Sequence, residues 1–285
     1  MDNFEYKKTR SLFWIHVFDN GADGVVMYAE RMLRSFIDFR FPQLSQMAGG
    51  SWKETSTGKC YLRLTQTDAK CFDWQAFHSW ADHANSCLWI GLNGRTEGLF
   101  ANDALDCCLA LGFNYNFDGS GRTSWGECEF TAKYHGGDSE LLNQICQGVV
   151  SMAELLPIGV SRKYVVSGVP YATDRGWNFG ARMAALVADA LGVLDVTPRL
   201  NGPKPQMKGL STGASISAWR SIYTGGIVQM DESYVRDADV VIVDDLYQSG
   251  VTIWSFAEYL KRLGAKRVFA LCCVKSINDV REDLS

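Results

Sequence analysis

The sequence predicts an α/β protein: a parallel sheet flanked by helices over residues 122–285, preceded by an N-terminal α+β region over 1–121. Val240-Val241-Ile242-Val243 is a continuous branched apolar run, the form of a central parallel strand covered on both faces, and an amphipathic helix follows it after a short polar loop. Residues 164–191 repeat the same order of strand, loop and helix, the βαβ pattern. With 47% hydrophobic and 21% charged residues, the chain carries enough apolar surface to build such a core.

In chain order, residues 24–40 place Val25, Val26, Met27, Met32, Leu33, Phe36, Ile37 and Phe39 among Glu30, Arg31 and Arg34, which predicts an amphipathic helix. Residues 50–60, Gly-Ser-Trp-Lys-Glu-Thr-Ser-Thr-Gly-Lys-Cys, read as a loop, and 73–90 as a second helix. Cys71, His78, His83 and Cys87 are donor types that zinc favours. Their spacing fits no compact zinc motif and the chain has no Cys-x-x-Cys, so packing is the preferred reading. Gly, Asn, Asp and Ser become dense over 112–138, which places a domain boundary near 121.

Beyond it, Asp138 is the expected cap of a helix to about 155, with Leu141, Leu142, Ile145, Val149, Met152 and Leu156 at helical spacing. Tyr164 to Pro170 reads as a strand. Residues 178–191 read as a helix with Phe179, Met183, Leu186, Val187, Ala190 and Leu191 on one face and Gly192 as its stop. Residues 198–225, rich in Gly and Pro with Arg199, Lys204, Lys208 and Arg220, read as a mobile basic loop. Strand 240–243 is followed by a helix burying Ile253, Phe256, Ala257, Leu260 and Leu263 and ending at Gly264, then by a strand from Arg267 to Val274.

Lys+Arg total 28 against 32 Asp+Glu, a net charge of −4, which argues against a dedicated nucleic-acid binder. No apolar stretch approaches the roughly 18 residues of a membrane span. The first residues show no secretory signal, so a cytoplasmic protein is expected, its nine cysteines reduced and mostly buried.

The chemistry is concentrated where the 240–243 strand ends. Open α/β sheets bind ligands beyond the carboxyl ends of their strands. Asp244 and Asp245 stand there, followed by Gln248, Ser249, Gly250, Val251 and Thr252 at the start of a helix. Hydroxyls, backbone N–H groups and the positive end of a helix suit a phosphate, and the carboxylates suit sugar hydroxyls. The ligand these residues imply is a sugar phosphate.

These residues resemble the diphosphoribose signature of the type I phosphoribosyltransferases: a hydrophobic strand, two acids and a Thr/Ser-Gly-x-Thr phosphate loop. Gln248 stands where that family more often has Thr. Over about 122–276 the chain is most similar to the ComF-like (competence protein F) group. Ala132-Lys133-Tyr134, Val165 to Pro170, Arg175-Gly176-Trp177-Asn178 and Lys208-Gly209-Leu210-Ser211 match its segments in order. The group's N-terminal Cys-x-x-Cys zinc ribbon is absent, and the chain stops shortly after its last predicted strand. Residues 1–121 are the expected source of a hood over the base site, or a partner-binding module.

The resemblance implies binding of phosphoribosyl pyrophosphate, with Mg carried by its pyrophosphate, and transfer of the ribosyl phosphate to a nitrogen base with pyrophosphate release. It assigns Asp244 and Asp245 to the ribose hydroxyls and residues 248–252 to the 5′-phosphate. Gly168, Val169 and Arg175 fall to the pyrophosphate, and Lys208 and Arg220, with Lys204, to a closing loop. No side chain is assigned as a resident metal ligand. Trp177 and Phe179 are expected to pack rather than stack on a base. A homodimer is frequent in such proteins. The alternatives left open are a fold kept for ligand sensing or partner binding, linked through the ComF-like group to nucleic-acid processing, and a hydrolase of the sugar diphosphate.

Overall fold

Two hydrophobic patterns, one of period two and one of continuous branched runs, build two different sheets. The computed structural model describes residues 3–47, 52–91, 96, 98–101, 103–135, 139–159, 162–172, 178–202, 207 and 209–278. The chain divides into two compact units, residues 1–90 with 155–157, and residues 91–154 with 158–285.

The first unit runs β1 (Phe4–Lys7), β2 (Trp14–Asp19), β3 (Val25–Glu30), α1 (Arg34–Arg40), α2 (Pro42–Met47), β4 (Lys53–Glu54), β5 (Lys59–Leu64), α3 (Gln66–Cys71), α4 (Trp74–Ser86) and β6 (Leu88–Ile90). β1 to β5 form a five-stranded antiparallel sheet in the order β1-β2-β3-β5-β4. Alternation puts Ile15, Val17, Met27, Ala29, Leu62 and Leu64 on the buried face.

Three expectations change here. Residues 25–30 are a strand and only 34–40 are α-helical. The branched Val25-Val26 pair favours a strand, and the helical spacing read across 24–40 joined two elements. Lys53–Glu54 pairs with Cys60 and Tyr61, so the expected 50–60 loop contains a hairpin. The helix expected to 90 stops at Ser86, and Leu88–Ile90 is extended.

The second unit runs β7 (Cys107–Phe113), α5 (Ser124–Tyr134), α6 (Ser139–Ala153), β8 (Tyr164–Gly168), β9 (Tyr171–Ala172), α7 (Phe179–Leu191), β10 (Arg199–Leu200), α8 (Thr212–Thr224), β11 (Val228–Gln229), α9 (Glu232–Val235), β12 (Asp239–Tyr247), α10 (Val251–Arg262) and β13 (Arg267–Lys275). Its parallel strands lie in the order β7-β13-β12-β8. Helices pack on this sheet, α5 and α6 against β7 and β13, α7 against β8 and β12, and α10 against β12 and β13. This is the expected α/β architecture.

β7 lies before 121, so the units divide earlier than the turn-rich stretch suggests. Cys107-Cys108-Leu109-Ala110 is a buried run in which cysteine acts as a small apolar strand residue. All nine cysteines are free; Cys71 is exposed and Cys128 half-buried. The expected 198–225 loop holds α8, capped by Ser211 and burying Ile216, Trp219, Ile222 and Tyr223 against α10. Counting glycines and prolines hid this helical stripe. The expected helix at 178–191 is present and ends at Gly192 in the left-handed region (φ +67°). Asp138 lies outside the described residues. Among the described residues no helix is long and apolar enough to cross a membrane.

Candidate functional site

β12 is a central strand of its sheet, with Val240, Val241, Ile242 and Val243 all fully inaccessible. Pairing to β8 ends at Val243, opposite Gly168, and the next two residues are Asp244 and Asp245. A strand buried on both faces thus delivers two carboxylates to its carboxyl edge. Asp244 is 8% exposed and its Oδ1 accepts from the Asp245 N–H at 3.0 Å. Burial, then the neighbouring Asp245 charge, push its carboxyl well above the ordinary aspartate value. α7 closes over it: a Cβ at Gly180 would lie 3.2 Å from Asp244 Oδ1.

Asp245 accepts a hydrogen bond from Lys133 Nζ, which reaches it from the last turn of α5. Lys133 Nζ also lies 3.5 Å from Glu129, one turn earlier on the same helix. Burial works against the Lys133 charge, but the Asp245 and Glu129 carboxylates more than offset it and hold the ammonium above its usual value. Burial raises Glu129 despite the pull of Lys133.

Past the acids the chain turns at Gly250, left-handed at φ +77°, into α10. A Cβ there would meet Tyr247 Oη at 2.2 Å, and Trp254 Nε1 donates to that same oxygen at 3.1 Å. Only glycine fits this position. Being glycine, it also leaves α10 without a side-chain cap, whereas Thr123, Asn178 and Ser211 cap α5, α7 and α8. The first N–H groups of α10 and its positive dipole end therefore stand ready for an anion. Lys275, 7% exposed at the end of β13, donates to Gln248 O at 3.3 Å and steadies the loop.

Acids and loop share one cleft of about 600 Å³, lined by Lys133, Asp244, Asp245 and residues 246–253. α8 and the segment before it supply Met207, Gly209, Leu210, Thr212, Ser215 and Trp219. The cleft thus combines the Asp244 and Asp245 carboxyl groups with the uncapped start of α10 and the hydroxyls of Thr212, Ser215, Ser249 and Thr252.

Of the residues singled out in the sequence, Asp244, Asp245, Gln248, Ser249, Gly250, Val251 and Thr252 come together here. Gly168 and Val169 reach the same edge of the sheet but do not line the cleft, and the Gly168 N–H donates to Thr197 Oγ1 at 2.7 Å. Arg220 is not brought in. Its guanidinium holds Glu258 at 3.1 and 3.2 Å and donates to Leu99 O. Arg175, Lys204 and Lys208 lie outside the described residues. Lys133 was visible only as part of a resembling segment, and Lys275 carried no signal, because both reach the cleft through tertiary packing. Thr212, Ser215 and Trp219 were hidden with α8.

Residues 172–284 match the family model of the phosphoribosyl transferase domain. No curated protein matches the chain. Among solved structures, a hypoxanthine phosphoribosyltransferase from Staphylococcus aureus in a tetragonal crystal form is similar at 17% identity and a TM-score of 0.32, over 47% of this chain and 62% of that one. Its orthorhombic form is similar at 14% identity and a TM-score of 0.27, over 55% and 67%. The chain spans 62% of the length of the first of these.

Proposed function

Taking the phosphoribosyl transferase domain match over 172–284 as premise, we propose that the second unit binds magnesium phosphoribosyl pyrophosphate and transfers its ribosyl phosphate to a nitrogen acceptor. One observation carries the reading: the Asp244-Asp245 pair and the uncapped start of α10 share one cleft. The 5′-phosphate sits on the N–H groups of Val251, Thr252 and Ile253, with the Ser249 and Thr252 hydroxyls alongside. The ribose hydroxyls meet the acids. Asp244 and Asp245, the latter beside Lys133, accept hydrogen bonds from the ribose hydroxyls.

The acceptor nitrogen attacks the anomeric carbon, the bond from that carbon to the pyrophosphate oxygen breaks, and its electron pair leaves with pyrophosphate. The attacking nitrogen gives up its proton to solvent. Magnesium carried by the substrate's pyrophosphate would supply charge neutralisation to the leaving group, and no side chain of this chain is assigned to hold it. The chain's own contribution is to orient the ribose and hold carboxyl groups near a carbon that becomes cationic.

The ComF-like reading rests on the order of the segments at 132–134, 165–170, 175–178 and 208–211. A second reading, binding without turnover, is favoured by the Gly168 N–H, which is given to Thr197 rather than left open to pyrophosphate. The two separate in one experiment. Pyrophosphate release in the presence of nitrogen bases supports transfer; saturable binding with no release supports a sensor; release without any base supports hydrolysis.

A further inference from the structure

We propose that the open face of the five-stranded sheet in the first unit binds single-stranded nucleic acid by stacking bases on its aromatic rows. This goes beyond the phosphoribosyl reading and does not depend on it. An antiparallel sheet with one face packed normally shows polar residues on the other. Here Trp14, His16 and Phe18 on β2, Tyr28 on β3 and Tyr61 on β5 alternate with the buried residues and so share the outer face. Register aligns them, with His16 opposite Tyr28 and Tyr28 opposite Tyr61.

The rings form a continuous patch. His16 lies 5.4 Å from Phe18, Phe18 stacks on Tyr28 at 5.9 Å, and Tyr28 lies 5.5 Å from Tyr61. All five side chains are half-buried, their neighbours covering one part and leaving another open. Cross-strand ring pairs add stability by themselves. The charges point further.

Lys7, Lys53, Lys59 and Arg63 occupy the same face by register, against Glu5 and Glu30. Glu5 is engaged by Trp14 Nε1 at 2.6 Å, and Glu30 lies 3.8 Å from Lys59. Lys59 sits over the Trp14 ring and Arg63 beside that of Tyr61. The face is therefore cationic although the chain carries a net charge of −4. Rings interleaved with cations on an open sheet suit unpaired bases and their phosphates, because every base has a stacking face. A duplex hides its bases and meets such a face through phosphates alone. Protein interfaces are depleted of lysine and glutamate at their centres, whereas this face interleaves lysines and glutamates with its rings.

The test is fluorescence anisotropy of labelled oligo(dT), oligo(U) and an oligo(dA)·oligo(dT) duplex against the full-length protein, across a salt series. Both single strands are expected to bind, and at least about tenfold tighter than the duplex. Tyr28→Thr and Tyr61→Thr keep strand-forming side chains but remove rings, and each should weaken single-strand binding about tenfold. Tyr61→Phe keeps the ring and should bind as wild type does. Lys59→Gln with Arg63→Gln should flatten the salt dependence. Asp244→Asn with Asp245→Asn should bind as wild type does, which separates this face from the cleft of the second unit. Circular dichroism and melting confirm folding of each variant. No single-strand binding at low salt, equal affinity for the duplex, or ring-deleted variants that bind normally would overturn the proposal. So would self-association, seen by sedimentation, that Tyr28→Thr abolishes, since the face would then belong to a second copy of the chain.

Discussion

Lys133 on α5 and Asp245 on β12 are joined by a charged hydrogen bond across 112 residues of sequence. With Glu129, which lies 3.5 Å from Lys133 outside the cleft lining, this makes a partly buried charge cluster in which each member sets the state of the others.

Removing the cation should therefore destabilise the fold. Lys133→Met leaves Asp245 and Glu129 as neighbouring carboxylates with side chains only 16% and 8% exposed. Losing one partner of a buried pair costs about 3–5 kcal/mol, and this partly open one should lie at or below the lower end. Urea denaturation of Lys133→Met, Asp245→Asn and the double variant checks it. The double variant should recover part of the loss, and independent additive effects would contradict the pairing.

Stability should also depend on pH through Asp244. Its carboxyl is raised in the folded state by burial and then by Asp245, so between the ordinary aspartate value and the raised one the folded chain holds a proton that the unfolded chain does not. Unfolding then becomes easier as pH rises. The contribution is fully present below the unfolded value of about 3.9 and is lost as pH climbs through the folded one. Glu129, raised chiefly by burial, acts in the same direction. Urea midpoints measured from acid to neutral pH should fall more steeply for wild type than for Asp244→Asn. Parallel slopes would show that Asp244 does not titrate in this way.

Gly250→Ala should damage the phosphate loop specifically. The residue sits at φ +77° and its new Cβ would fall 2.2 Å from Tyr247 Oη. The left-handed backbone alone costs about 1–2 kcal/mol, and relieving the contact must shift Tyr247 or the start of α10. Affinity for phosphoribosyl pyrophosphate is expected to drop at least tenfold while the far-ultraviolet circular dichroism stays that of wild type. Unchanged affinity would mean that the phosphate is held elsewhere.

Arg220→Ala is the contrasting case. Its side chain is 47% exposed and bound to Glu258, outside the cleft lining. Ligand affinity should stay within twofold, and stability should change by less than about 1 kcal/mol. A large loss of affinity would show that Arg220 leaves Glu258 when ligand enters.

Legibility in the sequence followed the physics of each element. The 240–243 strand could be read because complete burial demands a run of branched apolar residues. The acids and loop after it could be read because a phosphate site at a helix start needs Gly, Ser and Thr at fixed offsets. β3 is misread because short apolar runs satisfy helix and strand periods alike, and the 53–60 hairpin because its first strand is two exposed polar residues beside a polar turn. α8 was obscured by the glycines and prolines around it, although Ile216, Trp219, Ile222 and Tyr223 carry its stripe. Lys133 and Lys275 reach the cleft by tertiary packing, which no local spacing encodes. The aromatic face of the first unit likewise emerges only when strand register aligns His16, Tyr28 and Tyr61.

Calorimetric titration of magnesium phosphoribosyl pyrophosphate into wild type and into the Asp244→Asn/Asp245→Asn variant tests the central claim most directly. Saturable binding by wild type that the folded variant loses is the predicted result. Folded wild type that takes up no ligand, or a variant that binds as tightly as wild type, would contradict the assignment of this cleft to a ribose phosphate.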